Sequence, residues 1–471
     1  MGEKIFRKLL AIWAILLFFL MASYPAVSAQ NINTKLKNES VNENICDLLI
    51  LAPSRFEKSL QPLVKHKNSY GMQTNLVSLD YVYARIWYGH DNAEKVKLFI
   101  KDAYEECGIK YVILVGGIKK QFAFYEDWWC PVRYVHVEDW WSGFEAPYDE
   151  KRFLTDLYFG DIYDSEGRFC SWDDDGDGIY GEWNNNNSAE DVLDLYPEVY
   201  VGRLPCRNDL EVKIMVNKII NYEKENHTGK DWYKKMVVVA GDTYPGDDYE
   251  GETETQKALD RMPGFEPIKL WVSNGNFTGT KVVVDTINSG CGFLYFAGHG
   301  NPSLWGNHDP SKDQLVYGLQ LNNIPFLLNM KKLPICVMGG CHNSLFNVSL
   351  FHTSWNGKMP CLECITWRLT RKIGGGTIAT IGNTGLGYGP KDKKDPSQGG
   401  AAEPLISNFF GEIGLNNTQY LGEAIGKGIC SFLDEFPIYW HENSYNDSSI
   451  DAKTVLEWVL FGDPSLKIGG Y

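Results

Sequence analysis

The strongest constraint on this chain is an alternation of short apolar runs of strand length with stretches of helical spacing. Residues 46–52 (CDLLILA) read as a buried strand, 56–65 as a helix and 73–79 as a second strand. Residues 92–107 carry apolar positions at helical spacing, and 111–115 (YVILV) run into Gly116-Gly117. The region 118–190 is less regular, rich in Trp, Tyr, Asp and Gly, and reads as loops and an inserted segment. The alternation then resumes, with strands expected at 198–202, 236–240, 268–272, 292–297, 335–338 and 377–381. Helices are expected between them at 209–225, 255–262, 282–288 and 361–372. Short connections of this kind require right-handed crossovers, which produce a mostly parallel sheet with helices on both faces. The expected fold class is therefore α/β, in three layers. A chain of 471 residues is longer than one typical domain of roughly 100–200 residues. Two α/β subdomains side by side are expected, over 46–207 and 208–471.

The first residues stand apart from that pattern. Lys4, Arg7 and Lys8 precede an apolar run over 9–22, and the segment closes on Val27-Ser28-Ala29. Basic, apolar and small residues in that order form a secretory signal, with cleavage expected after Ala29. The competing reading is an uncleaved anchor, although spanning helices need about 20 apolar residues. Residues 30–45 are polar and read as a short leader. No later stretch is apolar enough to span a bilayer. The expected location is secreted or at the cell surface, with no stable membrane insertion once the signal is removed. The net charge of −15 argues against a nucleic-acid partner, which would require a basic patch. The 11 cysteines do not read as a disulfide framework in so long a chain. Their odd number leaves at least one thiol unpaired or paired between chains.

Two strand ends carry chemistry. FLYFAGHG places His299 just beyond an apolar run, and PICVMGGCHN places Cys341 in the same relation to the next one. Open parallel sheets present their functional groups at the carboxyl ends of strands, so both residues belong to one rim. A thiol needs a base or a positive neighbour to react near neutral pH, and an imidazole supplies either. Adjacent glycines let backbone N–H groups of Gly300 and Cys341 approach a substrate carbonyl as an oxyanion hole. Each residue has a plainer explanation when taken alone. A single Cys at a strand end is commonly a packed small hydrophobe, and a single His is commonly structural. His308 and His342 are rival bases, though His342 follows Cys341 and points to the opposite side.

A second motif is WDDDGDGIYGE, over 172–182. Asp173, Asp175 and Asp177 alternate ahead of Gly178, and such oxygen ligands suit a structural calcium ion. The twelfth position of the loop is Asn184 rather than Glu, so it departs from an EF-hand, and an acidic turn is the alternative. Cys361 and Cys364 have CxxC spacing, but no second pair completes a zinc site, and packing on a helix is the preferred explanation. The pairs Trp128-Trp129 and Trp140-Trp141 read as buried loop anchors. No motif calls for an organic cofactor.

Apolar block, His-Gly, then a second block ending in Gly-Cys resembles the signature of the caspase–legumain–gingipain clan. Within it, the chain resembles the gingipain-type cysteine peptidases over roughly 46–471. NSGCGFLYFAGHGNPSLWG (289–307), PEVYVGRLPCRNDLE (197–211), MPCLECITWRLT (359–370) and VLFGDPSLKI (459–468) carry the likeness in order. The resemblance implies a caspase-like three-layer α/β/α fold. It also implies a secreted endopeptidase that acts on protein or peptide substrates through a Cys341–His299 dyad and a thioester. It further implies Asp242 as the carboxylate orienting the imidazole and Glu254 at the floor of an S1 pocket favouring Arg or Lys. Trp305 and Tyr388 are then expected at the substrate-binding surface. Two alternatives share the fold: a catalytically inactive exported binding protein, and a transpeptidase whose thioester is shielded from water. The family's long N-terminal prosegment and C-terminal modules are not expected in this chain.

Overall fold

The computed structural model describes residues 46–120, 125–138, 150, 152–184, 187–244, 249–311, 314–349, 361–389, 400–444 and 446–471. The signal, the polar leader, Trp140 and Trp141 lie outside the described residues. The apolar runs become β1 (Leu48–Ala52), β2 (Thr74–Ser78) and β3 (Tyr111–Val115). The inserted region forms a small three-stranded sheet of β4 (Arg133–Val137), β5 (Phe153–Thr155) and β6 (Glu182–Trp183). Next come β7 (Tyr200–Leu204), β8 (Lys235–Ala240), β9 (Glu266–Trp271) and β10 (Phe293–Ala297). A second small sheet joins β11 (His299–Asn301), β12 (Leu304–Asp309) and β13 (Gln314–Gln320). The chain closes through β14 (Ile335–Gly339), β15 (Ala379–Asn383) and β16 (Trp458–Phe461).

Ten of these strands make one sheet in the order β2-β1-β3-β7-β16-β15-β14-β10-β8-β9. Every strand up to β7 lies at one end and every later one at the other, joined where β7 pairs with β16. The ladders are parallel except β15 with β16, which run antiparallel. Strands buried on both faces need apolar side chains throughout. Accordingly every residue of β1, β3 and β10 is buried. Each Val, Leu, Ile or Phe so buried stabilises the fold by about 1.5–3 kcal/mol. Polar residues fix where the helices begin and end. Asp91 accepts from Glu94 N at 2.8 Å to start the helix Asn92–Cys107, which stops at Gly108 with φ of 70°. Asn208 accepts from Glu211 N at 3.1 Å to start Asp209–Glu223. Among the described residues no helix is long and apolar enough to cross a membrane.

Candidate active site

The register of two strands sets the site. Parallel pairing of β10 with β14 matches Ala297 with Gly339. His299 and Cys341 therefore each follow a paired residue by two positions, on strands about 4.8 Å apart. Gly340 makes the close approach possible. A Cβ there would lie 3.0 Å from Gly300 N and 2.6 Å from Asn343 Oδ1. A Cβ on Gly300 would lie 2.2 Å from the same oxygen. Only glycine fits at either place.

His299 is the first residue of β11, paired with Gly306, and it is half-buried. Its Nε2 lies 2.6 Å from the Thr243 carbonyl. A carbonyl only accepts, so Nε2 carries the proton and Nδ1 is left for proton transfer. Burial and the neighbouring His308, its ring 5.1 Å away, lower the imidazole pKa, while the Thr243 bond opposes them. Cys341 is half-buried and its thiol donates to Gly387 O at 3.5 Å. Burial, then the charge of Glu457, push the thiol up to about 12. Both shifts favour the uncharged forms of the thiol and the imidazole. No hydrogen bond joins the two directly among the described residues.

All 11 cysteines are free thiols, and nine are buried, leaving Cys341 and Cys430 part-exposed. Cys361 packs with Leu345 and Val348. Cys364 precedes the helix Ile365–Thr370 instead of lying within one, since its backbone is extended (φ −76°, ψ 155°).

The remaining candidates distribute unevenly. Asp242 is fully buried and exchanges backbone bonds with His308 at 3.2 Å. The carbonyl of the next residue, Thr243, holds Nε2 of the imidazole. Glu254 sits half-buried on the helix Glu250–Asp260. Its Oε1 lies 3.6 Å from where a Cβ on Gly389 would be, and Tyr244 Oη lies 2.9 Å from that point. Burial and the Glu254 charge raise the Tyr244 phenol to about 12, and Cys341 adds to the effect. Glu254, Tyr244 and Cys341 thus share one neighbourhood. Tyr388 is half-buried, with its ring 5.7 Å from Lys453 Nζ. Trp305 is not at a substrate surface. It is fully buried against Phe277 and Phe296, and its indole N–H donates to Gly339 O at 2.9 Å. A large ring with one polar tip is best satisfied under the strand it braces.

Positioning residues absent from the sequence reading complete the site. Asn343 is fully buried, and its Nδ2 donates to Asn301 O at 2.8 Å and Leu304 O at 3.0 Å. It ties the histidine segment to the cysteine segment. Asn307 does the same for β10 by donating to Ala297 O at 2.8 Å. A buried amide directly after Gly-Cys-His was the available signal for Asn343.

The acidic loop belongs to the inserted region, between β5 and β6. Carboxylate oxygens of Asp173, Asp175 and Asp177 fall within 4.8 Å of one another. Asp173 Oδ1 is buried with no hydrogen-bond partner, and Gly176 and Gly178 take φ of 78° and 86°. Burial first, then Glu190, Asp177 and Asp175, raise the Glu182 carboxyl despite a bond from Asn184. The donor set fits a hard divalent ion.

A ten-stranded, mostly parallel sheet with a thiol and an imidazole just past the ends of two paired strands defines a caspase-like α/β protein. The model of peptidase family C25 matches residues 41–469, and the chain belongs to that family. Among curated relatives it is 21% identical to Gingipain R2 of Porphyromonas gingivalis over 432 residues, 89% of this chain and 46% of that protein. It is 23% identical to Lys-gingipain of the same organism over 251 residues, 51% of this chain and 12% of that protein. The chain thus spans less than half the length of these relatives. The crystal structure of the Arg-specific cysteine proteinase gingipain R superposes with a TM-score of 0.58 at 19% identity. That match covers 91% of this chain and 79% of that one.

Proposed function

We propose that the chain is an exported endopeptidase that hydrolyses peptide bonds through a thioester on Cys341. The observation that carries this is the β10–β14 register, with His299 and Cys341 two residues past paired positions. In the forward step Sγ attacks the peptide carbonyl carbon and the thiol proton passes to Nδ1 of His299. The imidazolium then donates that proton to the departing amine, and water releases the acyl group as acid and thiol. The N–H groups of Gly300 and Cys341 stabilise the tetrahedral oxyanion, each good donor being worth about 3 kcal/mol.

Substrate choice falls to Glu254. A half-buried carboxylate beside Tyr244 favours an Arg or Lys side chain through a charge-assisted bond. The names of the relatives, Lys-gingipain and an Arg-specific proteinase, support that class. Export is supported by the basic–apolar–small pattern over residues 1–29. The loop of Asp173, Asp175 and Asp177 would hold a structural calcium ion. The test is Cys341→Ala assayed on fluorogenic Arg- and Lys-type peptides. Turnover should vanish while the fold persists; retained turnover ends the reading.

A further inference from the structure

The segment 385–389 lies along the nucleophile, because Gly387 O accepts the Cys341 thiol at 3.5 Å. Three anchors hold this strap. His342 N donates to Gly385 O at 2.8 Å, Leu386 N to Glu150 Oε2 at 2.8 Å, and Gly389 N to Tyr244 Oη at 3.3 Å. The middle anchor is charged. Glu150 enters from the N-terminal half, between β4 and β5, yet its carboxylate bridges two residues of the other half. His342 Nε2 meets Oε1 at 2.8 Å and Lys453 Nζ meets Oε2 at 2.9 Å. Their side chains are 2% and 0% exposed. Burial alone would raise the Glu150 carboxyl; Lys453 and His342 overcome it and hold the group well below the usual carboxylate range.

An independent observation concerns the backbone. His342, the residue after the nucleophile, has φ of 55°. That left-handed conformation is unfavourable for a residue with a Cβ and persists where surrounding bonds hold it. Here the bonds are its N–H to Gly385 O and its ring to Glu150. A Cβ on Gly385 would lie 2.8 Å from Glu150 Oε2 and 2.7 Å from Glu457 Oε2, so the strap rests directly on this acidic pair.

We propose that Glu150 is a positioning residue for Cys341, fixing both the strained residue beside the nucleophile and the strap that receives its thiol. The N-terminal half thereby contributes to the chemistry without touching substrate. The proposal rests on Cys341 being the nucleophile. The test uses the full chain with Glu150→Gln, and with Glu150→Gln combined with Lys453→Met, which removes both charges of the buried pair and guards against misfolding of the single variant. In folded protein kcat should fall on the order of 10- to 100-fold with KM changed less than about twofold. In Glu150→Gln the rate of iodoacetamide alkylation at Cys341 should rise about fivefold, because the thiol loses a negative neighbour and its held position; in the double variant, which also loses the positive Lys453, the rise should be smaller. A residue needed only for stability would not move these two readings in opposite directions. Unchanged kcat and alkylation rate in a folded variant overturn the proposal, as does a kcat loss that merely tracks unfolded protein. If the parent chain hydrolyses no peptide, the functional reading fails separately, and the alkylation ratio alone decides the role of Glu150.

Discussion

The two ends of the large sheet use the same device for opposite purposes. At one end β3 runs into Gly116-Gly117, and at the other β14 runs into Gly339-Gly340. In the first case the glycines let protein backbone close over the strand end. Gly116 N and Gly117 N donate to Leu204 O and Cys206 O at 2.9 Å each, and a Cβ on Gly117 would lie 2.4 Å from Pro205 O. Arg203, fully buried and paired with Asp156 at 2.7 Å, donates to Gly116 O and seals the rim. The nearby Cys130 and Cys206 are fully buried. In the second case the space beside Gly340 is taken by the backbone of Gly300 and the side-chain oxygen of Asn343, and the adjoining Cys341 stays part-exposed. A Gly-Gly strand end is thus permission for close approach. What approaches, a plug or a second functional segment, decides whether the cysteine beside it is core or chemistry.

The largest test of that contrast is a pair of alanine substitutions. In Gly340→Ala the new methyl would displace Asn343 or Gly300, and kcat should fall on the order of 100-fold while the fold survives. In Gly117→Ala it meets backbone, so stability should drop by about 1–3 kcal/mol with kcat of the folded fraction unchanged. Denaturant melts beside steady-state kinetics check both, and equal kinetic losses would erase the distinction. An effect on stability alone is expected from calcium, whose proposed loop belongs to the N-terminal half. Calcium at about 100 times its Kd should stabilise the chain by about 2.7 kcal/mol. Asp175→Asn should weaken that gain, and kcat should be unaltered in both. A thermal midpoint indifferent to calcium and chelator would remove the metal site.

Much of this was legible in the sequence because parallel strands buried on both faces leave unbroken apolar runs. β1, β3, β10 and β14 all fall where such runs predict them, and His299 and Cys341 stand out because each follows one. Other parts leave no such trace. The helices Ala402–Gly414 and Leu421–Glu435 mix apolar residues with glycines and scattered charges, and Asp447–Leu456 is largely polar in sequence although every residue after Asp447 is buried, so their pattern goes unread. The hairpin of β12 and β13 alternates weakly and looks like loop. Trp305 reads equally well as a substrate platform or a brace, and only burial separates the two. One acceptor for His299 is a main-chain carbonyl, to which side-chain identity is blind. Glu150 and Lys453 pair across 303 residues of chain, so no local spacing announces them.

The account turns on which cysteine reacts and with what. Incubating the full chain with a peptidyl acyloxymethyl ketone bearing Arg, then mapping the adduct by mass spectrometry, measures this directly. One thioether per chain, on Cys341, formed as peptidase activity disappears, is the predicted result. Loss of activity with the label on another cysteine, or full activity with Cys341 alkylated, would contradict it.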